Sequence, residues 1–395
     1  MEDGRARHGA RDERIVPRVR GYTRRMDCLG ERSVRAFLRE HWHKEPLLVR
    51  NAIADFRPIT RDRLFALAAR DDVESRIVQR DRGRFTLREG PFTRAELRRM
   101  PRRGWTLLVQ GVDLHDAGAD ALLRRFAFVP YARLDDLMAS YAVPGGGVGA
   151  HFDSYDVFLL QACGRRTWRY GRQADLALRA GAPVKLLARF TPSHEATLGP
   201  GDMLYLPPEC AHDGVAVDEC ITYSIGFRAA TYQELAEAFL DHLRDSVVLE
   251  GRYADPDLRP TQNPARIDAA MQRRIVRALA AIRWDAKEVG RFLGRHLTEP
   301  KPGVVFAAHP RASRARFAQA IGRRGIRLDA RTRMLYDDAR YYVNGEDASL
   351  PAVDRDALRS LADRRMLATA ECRALAPETI DLLHRWHRHG FLADG

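Results

Sequence analysis

His151, Asp153 and His212 have the side-chain types of an open metal centre. In His151-Phe152-Asp153 an imidazole and a carboxylate stand two positions apart. On a β-strand, side chains at i and i+2 leave the same face, so both groups can converge on one ion. His212 lies far along the chain and must arrive from a separate strand. Two imidazoles and one carboxylate on one side of a cation leave its remaining positions open. Non-haem iron(II) uses that arrangement to admit a cosubstrate and dioxygen.

Neighbouring residues support this reading. The glycine-rich run Pro144-Gly145-Gly146-Gly147-Val148-Gly149 precedes the first pair and lets backbone pass close to other groups. Gly201-Asp202-Met203-Leu204-Tyr205-Leu206-Pro207-Pro208 is a turn and an apolar strand leading to His212. Arg166 lies on a segment where Arg166, Trp168 and Tyr170 share one face and Arg165, Thr167 and Arg169 the other. The aromatic face is expected to point inward. A buried guanidinium needs an anionic partner. A dicarboxylate cosubstrate held bidentately is the favoured partner, with an internal salt bridge to Asp156 or another acid as the alternative. Asp135, Asp136, Asp153 and Asp156 outnumber Arg133 over residues 131–160, so the mouth of the site is expected to be acidic. Tyr155 is a candidate to stack on a cationic substrate, or an ordinary packed or surface tyrosine.

The elements that must position these groups fall into three stretches. From about Met26 to Phe227 the pattern is mixed. Helices are expected over Glu31–Trp42, Thr60–Ala69 and Thr93–Met100, the last two beginning on threonine N-caps. Strands are expected at Leu47–Val49 and Thr106–Gln110, with a helical turn and then a strand across Asp135–Tyr141. Short segments follow at Ala150–Asp153, Val157–Gln161, Thr167–Tyr170, Val184–Phe190, Met203–Leu206 and Ile221–Phe227. Glycine and proline separate them, as in a sandwich or barrel such as the double-stranded β-helix (cupin). Past Phe227 the period becomes helical, with Leu235, Phe239, Leu243 and Val247 on one stripe. Helices are expected there over Tyr232–Val247, Ile267–Arg283 and Ala286–Leu297, suited to a homodimer interface or to a packing bridge, with the homodimer favoured. The last stretch mixes strands at Ile326–Leu328 and Tyr341–Val343, an Asn344-Gly345 turn, and helices over Asp354–Ala362 and Pro377–His389. The expected fold class is α+β. A disordered tail would occupy 1–25, the cupin 26–230, a helical dimerisation region 231–299 and a winged-helix-like domain 300–395.

Composition excludes several classes. No apolar run is long enough to span a bilayer. The arginine-rich start also carries Glu2, Asp3, Asp12 and Glu13 and has no apolar segment of a secretory leader. Five cysteines are scattered without a CxxC pair, which fits a reducing cytoplasm. The net charge of +13 admits nucleic-acid contact, but only four lysines occur. An arginine-biased composition is the favoured explanation of such a charge.

The segments Pro144–Tyr170, Gly201–His212 and Tyr223–Arg228 resemble the JmjC-domain 2-oxoglutarate oxygenases, and more narrowly the bacterial ribosomal oxygenases. His41–Val49 and Tyr253–Asp257 resemble the same family. The resemblance implies iron(II) held by His151, Asp153 and His212, with Arg166 on 2-oxoglutarate and dioxygen as second cosubstrate. It also implies β-hydroxylation of an arginine in large-subunit ribosomal protein sixteen. Ser140 lies on the strand before the glycine run, and which hydroxyl assists the cosubstrate stays open. Two other readings remain. One is a non-catalytic metal-binding cupin whose winged helix binds nucleic acid, and the other is a hydroxylase of a different residue such as histidine.

Overall fold

The computed structural model describes residues 27–349 and 352–394. The tail expected over 1–25 lies outside the described residues.

Through Phe227 the chain order is α1 (Val34–Glu40), β1 (Leu47–Val49), α2 (Arg61–Leu67), β2 (Ser75–Asp81), β3 (Arg84–Glu89), α3 (Arg94–Arg98), β4 (Trp105–Val109), α4 (Ala117–Leu123) and β5 (Leu134–Ala142). Then come β6 (Val157–Cys163), β7 (Arg166–Gly171), β8 (His194–Leu198), β9 (Met203–Leu206), β10 (Ala211–Ala216) and β11 (Cys220–Phe227). Eight strands form one sheet in the order β1-β9-β6-β11-β5-β4-β2-β3, and β10-β7-β8 form a second. All their pairings are antiparallel.

Alternation explains how the layers stack. Phe158, Leu160, Met203 and Tyr205 leave one face of the large sheet and join Phe37, Leu64 and Leu122 of the helices in the main core. Val157, Leu159, Leu204 and Leu206 leave the other face and pack against Trp168, Tyr170 and Leu198 of the small sheet. Both faces are covered, so β6 and β9 read as unbroken apolar runs. Ser33, Thr60 and Thr93 cap α1, α2 and α3 by accepting backbone N–H groups. Each such cap is worth about 1 kcal/mol.

The helical stretch begins with a capping box, Thr231 with Glu234, on α5 (Tyr232–Ser246). α6 (Ala269–Leu279) and α7 (Ala286–Thr298) follow. The remainder comprises α8 (Arg314–Arg324), β12 (Ile326–Leu328), β13 (Met334–Tyr336), β14 (Tyr341–Val343), β15 (Glu346–Ala348), α9 (Arg355–Arg364), β16 (Met366–Leu367), α10 (Thr369–Arg373), α11 (Pro377–Arg388) and β17 (Leu392–Asp394). Two small sheets, β16-β12-β17 and β13-β14-β15, share a core with α8, α9 and α11. α7 lies on β14, where a Cβ on Gly294 would fall 2.4 Å from the Tyr342 ring. Only a glycine permits that approach.

Several expectations change. Asp135–Tyr141 is strand throughout, without a helical turn. Val184–Phe190 is not a strand; Leu187 makes one isolated bridge to Leu178. Ala150–Asp153 reduces to an isolated bridge at His151. The hairpin β2–β3, turning at Arg82-Gly83, and the strands β8 and β10 went unread, as did helices α4, α8 and α10. Among the described residues no disulfide joins any of the five cysteines. Among the described residues no helix is long and apolar enough to cross a membrane.

Candidate functional site

The large sheet supplies one wall of the site, and β7, β10 and the β7–β8 connection supply the other. Between them lies a cavity of about 600 Å³. Among the strands that present alternate residues to it are β4 with its end (Thr106, Leu108 and Gln110), β5 (Asp136, Met138 and Ser140) and β11 (Ser224 and Gly226).

His151 and His212 stand directly opposite one another. His151 N donates to His212 O at 2.9 Å and His212 N to His151 O at 2.8 Å. Side chains of such a cross-strand pair leave the same face. Their ring centroids are 4.2 Å apart. Asp153 therefore joins a pair set by the bridge, not by a continuous strand through His151-Phe152-Asp153. Gly147 permits the close passage: a Cβ there would sit 2.4 Å from Gly214 O.

Both histidines are oriented by the same device. Nδ1 of His151 lies 2.9 Å from Gly149 O, and Nδ1 of His212 lies 2.9 Å from Cys210 O. A carbonyl can only accept, so Nδ1 carries the proton and Nε2 keeps its lone pair. Nε2 of His151 is 4.0 Å from Asp153 Oδ1, and Nε2 of His212 is 3.7 Å from Asp153 Oδ2. One ligand atom from each of the three residues lies within 4.8 Å of the others. Burial, then the neighbouring His151, draws His212 down to about 4, which keeps it in the neutral form that ligates. The donor set and its fixed tautomers fit a divalent cation with positions left open.

Arg166 is 4% exposed and enters the same cavity from β7. Its Nη1 donates to Ser140 Oγ at 3.1 Å. Its Nε and Nη2 are buried with no hydrogen-bond partner among the described residues, as are Thr106 Oγ1, Gln110 Oε1 and Trp168 Nε1. All five atoms belong to residues lining this cavity. Orphaned buried polar atoms are costly, so a cluster of them, donors and an acceptor, marks a place built for a polar occupant. A small dicarboxylate suits the guanidinium. The alternative salt bridge to Asp156 does not form. Asp156 is fully buried elsewhere, taking a short hydrogen bond from Tyr205 Oη and facing His43 and Arg133. It therefore takes no part in an acidic mouth.

Asp135 and Asp136 do line the cavity, with Asp153 and Tyr155. The Tyr155 hydroxyl is pushed above its usual range by burial, then by Asp153 and Asp136. This ring between carboxylates suits a cation. Lys185, on the β7–β8 connection, also lines the cavity and places Nζ 3.7 Å from the Phe152 ring centroid. The connection is tied beside the histidines by Leu187 N donating to Ala150 O at 2.8 Å.

Thr106, Gln110, Trp168 Nε1 and Lys185 were not identified from the residues, and Asp136 was expected only as part of an acidic mouth. A signal existed for Thr106 and Gln110, polar positions four apart on one face of an apolar strand. Asp136 shares a face with Met138 and Ser140 in the same way. Taking Asp135–Tyr141 as partly helical hid that second pattern.

The chain matches the JmjC domain family over residues 121–235 and the ROXA-like winged helix family over residues 281–393. It is 38% identical over 233 residues to the ribosomal protein uL16 3-hydroxylase of Escherichia coli (strain K12), across 58% of this chain and 62% of that protein. A probable ribosomal oxygenase of Haemophilus influenzae is 33% identical over 258 residues, across 62% of this chain and 61% of its own length. The chain thus spans less than two thirds of the length of these curated relatives in sequence. The X-ray structure of E. coli YcfD superposes with a TM-score of 0.81 at 29% identity, covering 92% of this chain and 99% of that one. YcfD in complex with cobalt and 2-oxoglutarate superposes with a TM-score of 0.77 at 29% identity, covering 91% and 97%. The chain thus carries a JmjC domain followed by a ROXA-like winged helix.

Proposed function

We propose that this chain is an iron(II)- and 2-oxoglutarate-dependent hydroxylase of a ribosomal protein, with an arginine of uL16 as its target. The observation that carries this is one cavity holding both the His151–Asp153–His212 donor set and an Arg166 guanidinium with two unpartnered nitrogens. The named activity of the E. coli relative and the cobalt and 2-oxoglutarate bound by YcfD agree with it.

His151, Asp153 and His212 would hold the metal, and Arg166, Ser140 and Thr106 the distal carboxylate of 2-oxoglutarate. A bound iron(II) supplies coupling of dioxygen to oxidative decarboxylation of 2-oxoglutarate, giving succinate, carbon dioxide and one oxygen atom inserted into a substrate C–H bond. The chain's own residues do the positioning. Arg166 fixes one end of the diacid, Trp168 packs beside His212 with ring centroids 5.8 Å apart, and the apolar side chains Leu108, Met138, Val157 and Leu159 limit water. Asp135, Asp136 and Tyr155 would receive the target guanidinium.

We assign residues 26–230 to catalysis, 231–299 to a helical dimerisation region and 300–395 to the winged-helix-like domain. The dimer is supported by apolar side chains left in solvent on α5 and α6: Leu240 at 63%, Val276 at 64% and Leu279 at 56% exposed. A reducing cytoplasm suits the ferrous ion, cysteines outside any disulfide and a ribosomal substrate.

The test is incubation with iron(II), 2-oxoglutarate and isolated ribosomal proteins, read by mass spectrometry. A gain of one oxygen on uL16, stoichiometric with succinate, is expected. His151→Ala and Asp153→Ala should abolish it while the chain stays folded. Undiminished turnover in both variants, or no oxidised ribosomal protein, sinks the proposal.

A further inference from the structure

We propose that Lys301, on the segment that follows α7, is a positioning residue for the target guanidinium, because it holds the Asp135–Asp136 pair from outside the cavity. This rests on the hydroxylase reading above. Lys301 Nζ lies 3.0 Å from Asp135 Oδ1 and 3.2 Å from Asp136 Oδ2.

Asp136 works as a two-sided wall. On one side its Oδ2 accepts Gly111 N at 3.2 Å and faces Lys301. On the other, Oδ1 lies 3.8 Å from where a Cβ of Gly226 would be, a point 4.0 Å from Tyr155 Cε2. Gly226 and Tyr155 line the cavity and Lys301 does not. The lysine and an incoming cation therefore approach different oxygens. Lys301 supports the acidic wall and does not compete for it.

The wall needs that support. Asp136 is 4% exposed and sits between two other acids, Asp135 and the buried Asp113. Among the described residues Lys301 is the cation paired with it, whereas Asp135 also has Arg228 at 3.3 Å and Arg333 at 3.7 Å. Burial pushes the Asp136 carboxyl up, and Lys301 is the largest influence drawing it back down. Burial works against a charged Lys301, yet Asp136 and Asp135 raise its pKa above the ordinary value. Without Lys301 the carboxylate would take up a proton or turn away, and a guanidinium in the cavity would lose its partner. The same contact fastens the Lys301-Pro302-Gly303 connection to β5, which joins placement of the winged helix to the shape of the substrate subsite.

The experiment uses the full chain and a fluorescent peptide containing the arginine that the wild-type protein oxidises. Lys301→Met should raise KM for the peptide about tenfold and weaken peptide binding to the metal-free protein by a similar factor, as loss of a charge-assisted contact would. kcat at saturating peptide and KM for 2-oxoglutarate should hold, and Lys301→Arg should restore most of the loss. Lys301→Gln serves the same comparison if methionine unfolds the junction. In an Asp136→Asn background, Lys301→Met should add little. An unchanged or lowered peptide KM, or a parallel rise for peptide and 2-oxoglutarate, overturns the role of Lys301 and leaves the hydroxylase reading intact. Absence of any oxidised ribosomal protein with the wild type takes both down.

Discussion

Two guanidinium groups set inside the protein show how differently one side chain is used. Among the described residues, Arg166 in the cavity has one hydrogen bond, to Ser140, and two buried nitrogens without a partner. Arg365, at the junction between the jelly roll and the winged-helix-like domain, has its needs met by backbone. Its Nη1 donates to Thr332 O at 2.9 Å, and its Nη2 donates to Asp329 O at 2.7 Å and Ala330 O at 3.4 Å. Next to it Tyr131 Oη donates to Asp363 O at 3.1 Å across the junction. A group that folding has satisfied stabilises the fold. A group left wanting is held ready for something that arrives later.

Exchanging each arginine for methionine separates the two uses, and these are the largest effects we expect. Arg166→Met should reduce 2-oxoglutarate affinity by about a hundredfold or more, as loss of a bidentate charged contact does, while Tm holds or rises because an uncompensated buried charge has gone. Arg365→Met should leave 2-oxoglutarate affinity alone and lower stability by about 2–3 kcal/mol, since three carbonyls lose their donor. Calorimetric titration and thermal melts on both variants decide it. A large fall in Tm for Arg166→Met would make it a structural arginine and remove the contrast.

This contrast was only half visible in the sequence. Arg166 stood out because an alternating strand put it on the face of Trp168 and Tyr170, where a charge needs a reason. Arg365 has no such marker, since its acceptors come from a loop more than thirty residues earlier. The same division runs through the molecule. The metal triad was legible from residue type and local turn chemistry, and the α5, α6 and α7 helices from their period. The i, i+2 reasoning for His151 and Asp153 named side chains that the structure does bring together, but by another route: the tertiary bridge between His151 and His212 sets the group, with no strand running through Asp153. Val184–Phe190 has strand-like composition, yet it is spent as a covering connection because no sheet edge is offered to it beyond one bridge. Asp156 looked like part of an acidic mouth by proximity in sequence. The pleat turns it to the opposite side, into the pocket of Tyr205 and His43.

A second comparison across the same junction is sensitive to pH. Asp113 lies behind the acidic wall with its Oδ1 accepting Leu137 N at 2.9 Å. Burial, then the neighbouring Asp136, pushes it from an ordinary 3.8 up to about 7. The folded chain thus keeps a proton that the unfolded chain has lost. Stability from this group is intact in acid and declines as pH rises from the ordinary value toward 7, by about 1.4 kcal/mol for each pH unit. Asp113→Asn keeps the acceptor oxygen and removes the charge, so it should flatten that decline in urea melts at several pH values. A decline equally steep in the variant would show that the burden lies on Asp136 instead.

The smallest effect sharpens the contrast most. Thr106 Oγ1 is buried without a partner, on the strand beside Ser140. Thr106→Val keeps the shape and deletes the hydroxyl. If the orphan is a packing defect, removing it costs nothing and raises Tm, with cosubstrate binding unchanged. If it belongs with Arg166 to a carboxylate subsite, Tm still holds or rises, but 2-oxoglutarate affinity falls about fivefold, the worth of roughly one neutral hydrogen bond. Stability and affinity moving in opposite directions is the signature that distinguishes a ligand-directed hydroxyl from an imperfectly filled core. Added to Arg166→Met, where the diacid has already lost its main anchor, the same substitution should cost less than it does alone.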